Sequence, residues 1–173
     1  MTDGPERRRS GNPAPRIRVN VADEQSACPL DVERWRSLAG AILNAEAVDG
    51  PGEASVIFVE RDAMTTLNKI HMGVDGPTDV LSFPIDSDEQ LIGVEDRLVG
   101  DVVICPEVAL ENAEDHAGSF DDEIALLITH GVLHLLGHDH AERVEEERMW
   151  KREKELLVEH WGDLPATAWS EQP

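Results

Sequence analysis

His130, His134 and His140 stand in the run H-G-V-L-H-L-L-G-H-D-H. Two imidazoles four residues apart on a helix project from one face, with Cβ atoms about 5–6 Å apart. That lets both nitrogens meet one divalent ion at the ordinary zinc distance of about 2.0–2.1 Å. His140 follows six residues later, which in a continued helix would be about 240° round the axis and facing away. Gly137 resolves this, because glycine readily takes the left-handed conformation that ends a helix. The chain can then fold back and bring His140 to the same ion. Three neutral protein ligands leave a fourth position for water, the pattern of catalytic rather than structural zinc. The expectation is one zinc ion on His130, His134 and His140, which act in catalysis through it.

A histidine pair at this spacing has an alternative reading, as surface or core side chains without a metal. Against it, residues 124–136 are apolar nearly all round, so their helix is buried. A buried imidazole without a partner carries a desolvation cost, and two on one face need something to bind. His138 is the weaker fourth candidate, since its neighbour His140 has the better spacing. Asp139 either orients a ligand from behind or is a solvated loop acid.

In the zinc-protease motif H-E-x-x-H a glutamate follows the first histidine and acts as general base. Here that position is Gly131. The ligand cage is protease-like, the proton carrier is missing, and peptide hydrolysis falls to second place. A third reading is a non-enzymatic protein with a structural metal.

The elements around the motif follow from pattern. The first 15 residues, rich in Pro, Gly and Arg, read as a disordered basic tail, and 16–162 as one domain. The alternation I-x-V-x-V from Arg16 predicts a strand, and Asp31 opens an amphipathic helix through Trp35, Leu38, Ile42 and Leu43. Ala54–Glu60 is β-branched and strand-like, and Asp62 is an N-cap candidate for a short helix holding Met64, Leu67 and Ile70. His71–Pro77 is a loop, Thr78–Ile85 a strand, 86–98 an acidic mobile excursion and Gly100–Cys105 a further strand. Pro106 introduces a helix over Val108–His116. Ser119 caps the histidine helix, with Asp121, Asp122 and Glu123 at its positive end. Glu142–Glu159 is a charged helix whose stripe is Val144, Met149, Trp150, Leu156 and Leu157. From Asp163 to 173 the chain reads as a flexible tail. The class is α+β, with about four strands in a mixed sheet, about five helices and a central buried helix carrying the ligands.

Composition narrows the function classes. Acidic residues number 36 against 15 basic, a net charge of −21, which disfavours indiscriminate adhesion to nucleic acid or anionic membrane. Residues 1–20 hold five arginines against Asp3 and Glu6, so that stretch carries +3 and the remainder −24. No apolar run approaches a membrane span, and no apolar segment follows the arginines as in a secretory signal. Cys28 and Cys105 are too few for a disulfide framework and read as reduced thiols of a cytoplasmic protein.

Together with P-T-D-V-L-S-F-P (Pro77–Pro84) and G-D-V-V-I-C (Gly100–Cys105), the histidine run resembles the bacterial YbeY proteins from about Arg16 to Trp161. The resemblance implies a metal-dependent single-strand endoribonuclease of 16S ribosomal RNA maturation and ribosome quality control. It implies zinc on three histidines, matching His130, His134 and His140, and an α+β fold with the metal at the end of a cleft beside the sheet. Its implied partners are ribosomal RNA and proteins of the small ribosomal subunit, with a ribosome-associated GTPase as a further one. One departure is clear. The family often places an arginine a few residues before the P-T pair, whereas this chain reads His71-Met72-Gly73; Lys69 and His71 are candidates for its place, and Arg61 lies further off. The residues do not assign the general base. Asp79, Ser82 and Asp101 lie in strands that could border the site, with capping and turn roles as the alternative.

Overall fold

The computed structural model describes residues 17–48, 50–85 and 96–170. The basic tail expected over 1–15 and most of the acidic excursion lie outside them. In chain order come β1 (Ile17–Glu24), α1 (Val32–Ala45), β2 (Gly52–Val59), α2 (Arg61–Met72), β3 (Val80–Pro84) and β4 (Arg97–Ile104). Then follow α3 (Pro106–Ala113), α4 (Phe120–Leu135), α5 (Arg143–His160) and a short 3-10 turn, Ala166–Trp169. The fold is α+β, as expected.

The sheet order is β1-β2-β4-β3. β1 runs parallel to β2 and β2 parallel to β4, while β3 closes the edge antiparallel to β4, with Ser82 opposite Val102 and Phe83 opposite Asp101. Side chains alternate across a strand, so Val102 and Ile104 enter the main core and Val103 the smaller one. The main core packs α1, α4 and α5 against one face, centred on Trp35, Ile42, Phe58, Ile124, Ile128, Leu133 and Leu156. The second lies under α2, between Met64, Leu81, Val103 and Cys105.

Helix α4 is the axis of the molecule. The Ser119 hydroxyl caps it, accepting from the Asp122 N–H at 3.2 Å. Eleven of its sixteen residues are buried, which makes it a core helix rather than an amphipathic one. It lies directly on the sheet at Gly131, where a Cβ would stand 2.4 Å from Val102 Cγ1. The Ser82 hydroxyl donates to the Gly131 carbonyl across the same contact, at 3.1 Å. Glycine is there because β4 leaves no room for a side chain.

Several boundaries differ from pattern. α2 starts at Arg61 with Glu60 as N-cap, so Asp62 sits in the first turn, where its charge complements the helix end without capping it. α3 spans Pro106–Ala113 rather than Val108–His116, because proline fits the first helical position and the chain turns at Gly118, whose N–H meets the Ala113 carbonyl. β3 covers Val80–Pro84, and Asp79 before it accepts from the Val80 N–H. β4 begins at Arg97, inside the expected excursion, since β2 offers it a partner from Gly52 onward. Ile70 and Val144 are exposed instead of packed. The chain beyond Asp163 is not wholly frayed either: Ala168 is buried and the Thr167 hydroxyl donates to the His116 carbonyl at 2.6 Å.

Candidate metal centre

The C-terminal end of α4 presents His130 and His134 on one face, one turn apart. The helix stops in a Schellman turn: Gly137, at φ +90°, donates to the His134 carbonyl, and the His138 N–H donates to that of Leu133. The reversal carries the chain back, and the His140 ring comes to 4.9 Å from that of His134 and 5.5 Å from that of His130, centroid to centroid. One ligand nitrogen from each of the three rings lies within 4.8 Å of the others. His130 Nε2 and His134 Nε2 face each other at 3.0 Å. The sequence-predicted trio therefore converges, and these residues could hold a metal.

Glu153 sets the direction of the first ring. Its carboxylate, on α5 and 2% exposed, lies 2.6 Å from His130 Nδ1. An N–H donated there leaves the lone pair on Nε2, the nitrogen that faces His134, which is the carboxylate–histidine arrangement behind many metal ligands. His134 is held neutral: burial foremost, then the charges of His130 and His140, lowers its pKa to about 4. A neutral imidazole is the form that binds a metal, so the donor set fits a divalent ion of the zinc type.

His138 turns away from the trio, its Nε2 3.7 Å from Glu46 at the end of α1. The Asp139 carboxylate accepts from the His140 backbone N–H at 2.7 Å, and so shapes the turn that delivers His140. Ser82 is taken up by Gly131. Asp101, beside Val102 on β4 and of opposite pleat, points away from α4. Asp79 does border the site, in a cavity of about 400 Å³ shared with His130, Glu153, Leu127, Trp150 and His116. Burial raises the Asp79 pKa, against the hydrogen bond from the Val80 N–H.

Two buried carboxylates, Glu153 and Glu123, stand behind histidines that line the cavity. Glu153 sits in the stripe Met149–Glu153–Leu156, at intervals of four and three, and a carboxylate in an apolar stripe was its signal. Pattern alone marks Glu123 as a favourable acid of the first helical turn. Yet it lies seven residues before His130, on the same face, and is fully buried. Both its oxygens approach His116 Nδ1, at 2.9 and 3.0 Å, and one accepts from the Ala117 N–H at 3.2 Å. The hydrogen bond to Glu123, outweighing burial, raises the His116 pKa.

Residues 20–160 match the family model described as Endoribonuclease YbeY. The chain is 48% identical to the Endoribonuclease YbeY of Frankia casuarinae over 81% of its own length and 73% of that protein. It is 47% identical to that of Thermobifida fusca, over 81% and 92%. The solution structure of TM1509 from Thermotoga maritima superposes with a TM-score of 0.57 at 29% identity, covering 83% of this chain and 89% of that one.

Proposed function

Since the chain belongs to the YbeY endoribonuclease family, a family of nuclease hydrolases, we propose that it is a zinc-dependent single-strand endoribonuclease. Its substrate is ribosomal RNA, cut in 16S maturation and ribosome quality control, and His130, His134 and His140 hold one zinc ion for that reaction. The observation that carries this reading is the convergence of the three rings, with His130 backed by buried Glu153. An ion bound there supplies Lewis acidity and lowers the pKa of a coordinated water towards about 7. The protein's own part is positional. Glu153 fixes the His130 tautomer, and the Gly137 turn and Asp139 place His140.

The peptidase alternative loses its footing at Gly131, because Val102 occupies the space a glutamate at that position would need. The proposed domain runs over 16–162. Among the described residues no helix is long and apolar enough to cross a membrane, in keeping with work on ribosomes in the cytoplasm. The partners proposed are proteins of the small ribosomal subunit and a ribosome-associated GTPase. They would deliver RNA to a chain of charge −21, whose acidic excess opposes the phosphate neutralisation that RNA affinity usually rests on.

Cleavage of a short single-stranded RNA tests the reading. Wild-type protein is expected to cut it, with activity lost to a chelator, restored by zinc, and absent in His134→Ala while that variant keeps a cooperative melting transition. Cleavage that survives both treatments contradicts the metal-dependent reading. Unfolding of His134→Ala would mark the metal as structural.

A further inference from the structure

The four tryptophans of the chain are not used alike. Trp35 and Trp161 stack with their centroids 5.3 Å apart, Arg34 lies over Trp161, and Trp169 packs against the main core. Trp150 does none of this. Helix α5 buries Met149, Leu156 and Leu157, whereas Trp150 stays half-buried and belongs to neither core. Among the described residues no ring or cation covers its face. It lines the cavity of about 400 Å³ that reaches the metal centre at His130. A large aromatic left without a partner on a cavity wall offers its face to a ligand.

The other walls say which ligand. Asp79, Glu146 and Glu153 bring carboxylates, and among the described residues no lysine or arginine lines the cavity. Its two imidazoles, His116 and His130, are already paired with carboxylates. Such walls repel a phosphate and attract N–H groups. Glu153 is taken by His130, and one Asp79 oxygen by the Val80 N–H and the Thr78 hydroxyl. Glu146 is half-buried, and among the described residues its carboxylate has no hydrogen bond or ion pair. It precedes Trp150 by one turn on the same face of α5, a spacing that puts the Cβ atoms about 5–6 Å apart. A flat ring lying on the indole therefore has a carboxylate at its edge. Nucleobases have that form, and single-stranded RNA presents them unpaired for stacking and for contacts to their Watson–Crick edges. Guanine offers two neighbouring donors there, N1–H and N2–H, which one carboxylate accepts together. Adenine, cytosine and uracil each set an acceptor beside their donor, so the second bond is lost.

We propose that this cavity is a base subsite for the RNA substrate, in which an unpaired base stacks on Trp150 and Glu146 selects guanine. This rests on the endoribonuclease reading above, since the strand held at the three histidines is what brings a base beside His130.

Fluorescence anisotropy of the zinc-loaded protein, read before cleavage, tests it with two short labelled RNAs, one all uridine and one with a single central guanosine. Wild type is expected to bind the guanosine strand about 5–150-fold more tightly, the usual range for one bidentate base contact. Glu146→Gln should bring the two strands to within about threefold of each other, because the amide keeps only one acceptor. Trp150→Ala should weaken the guanosine strand about 5–150-fold, the worth of stacking one base, and Trp150→Phe should restore most of that loss. The zinc content of each variant should match the wild type, and each should keep a cooperative melting transition. A wild type that binds both strands equally, a Glu146→Gln variant that still separates them, or a Trp150→Ala variant that binds like the wild type overturns the subsite. So does guanosine monophosphate that competes as well as the strand, which would mark a site for a free nucleotide. A wild type that neither binds nor cuts single-stranded RNA instead overturns the endoribonuclease reading, and the subsite with it.

Discussion

At the scale of single residues, two histidines of the cavity each have a buried carboxylate behind them. Glu153 backs His130 and Glu123 backs His116. Removing the first charge should act on the metal: Glu153→Gln is expected to weaken zinc about 10–100-fold, as substitutions behind metal ligands commonly do, read by competition with a chelating dye. The second pair acts on stability. The His116 pKa is raised in the folded protein, so the folded state holds the extra proton and the pair stabilises fully below the ordinary histidine value of about 6.5. That contribution is lost as pH rises through the raised value. Asp79, whose pKa is also raised, adds a loss of the same sign once pH exceeds the ordinary carboxylate range. Urea midpoints of wild type and His116→Gln should therefore differ more at pH 6 than at pH 8.5, and a larger gap at pH 8.5 would contradict the pairing. Of these residues, the three histidines are legible in the sequence, because helix geometry and one stop glycine dictate their convergence. It hid both carboxylates, since their partners come from other elements and only tertiary packing brings them together.

At the scale of elements, the site depends on how closely α4 approaches the sheet and where it stops. Gly131 sets the first. Gly131→Ala drives a Cβ against Val102, and such overpacking is expected to cost about 1–3 kcal/mol, measured as a lower urea midpoint. A midpoint equal to wild type would show that β4 yields. Gly137 sets the second, through the left-handed residue that turns the chain towards His140. Most elements were legible for the usual reason: hydrophobic period, Ser119 and Asp31 as caps, and proline at a helix start. The misjudged edges share another cause. β4 extends to Arg97 and the turn at 166–169 docks because of partners distant in sequence. No local pattern announces such pairing.

The whole molecule poses a problem of charge. An enzyme acting on a polyanion carries a net −21, and the cavity beside the histidines is lined by Asp79, Glu146 and Glu153. Arginine side chains such as Arg61 and Arg152 are already paired with glutamates. Affinity for naked RNA should then owe little to counterion release. Raising monovalent salt from about 50 to 200 mM is expected to weaken binding by less than about tenfold, where an interface of many phosphate contacts would lose 10³-fold or more. Fluorescence anisotropy with a labelled single strand reads this directly. A steep salt dependence would mean that a basic surface, such as the arginines of residues 1–20, carries the RNA.

The proposed centre is three imidazoles sharing one ion, and zinc stoichiometry in wild type and in His130→Ala, His134→Ala and His140→Ala tests it most directly. One zinc per chain in the wild type, with at least tenfold weaker binding in each variant, is the predicted result. A wild type that takes up no zinc, or a variant that binds it as tightly as the wild type, would contradict it.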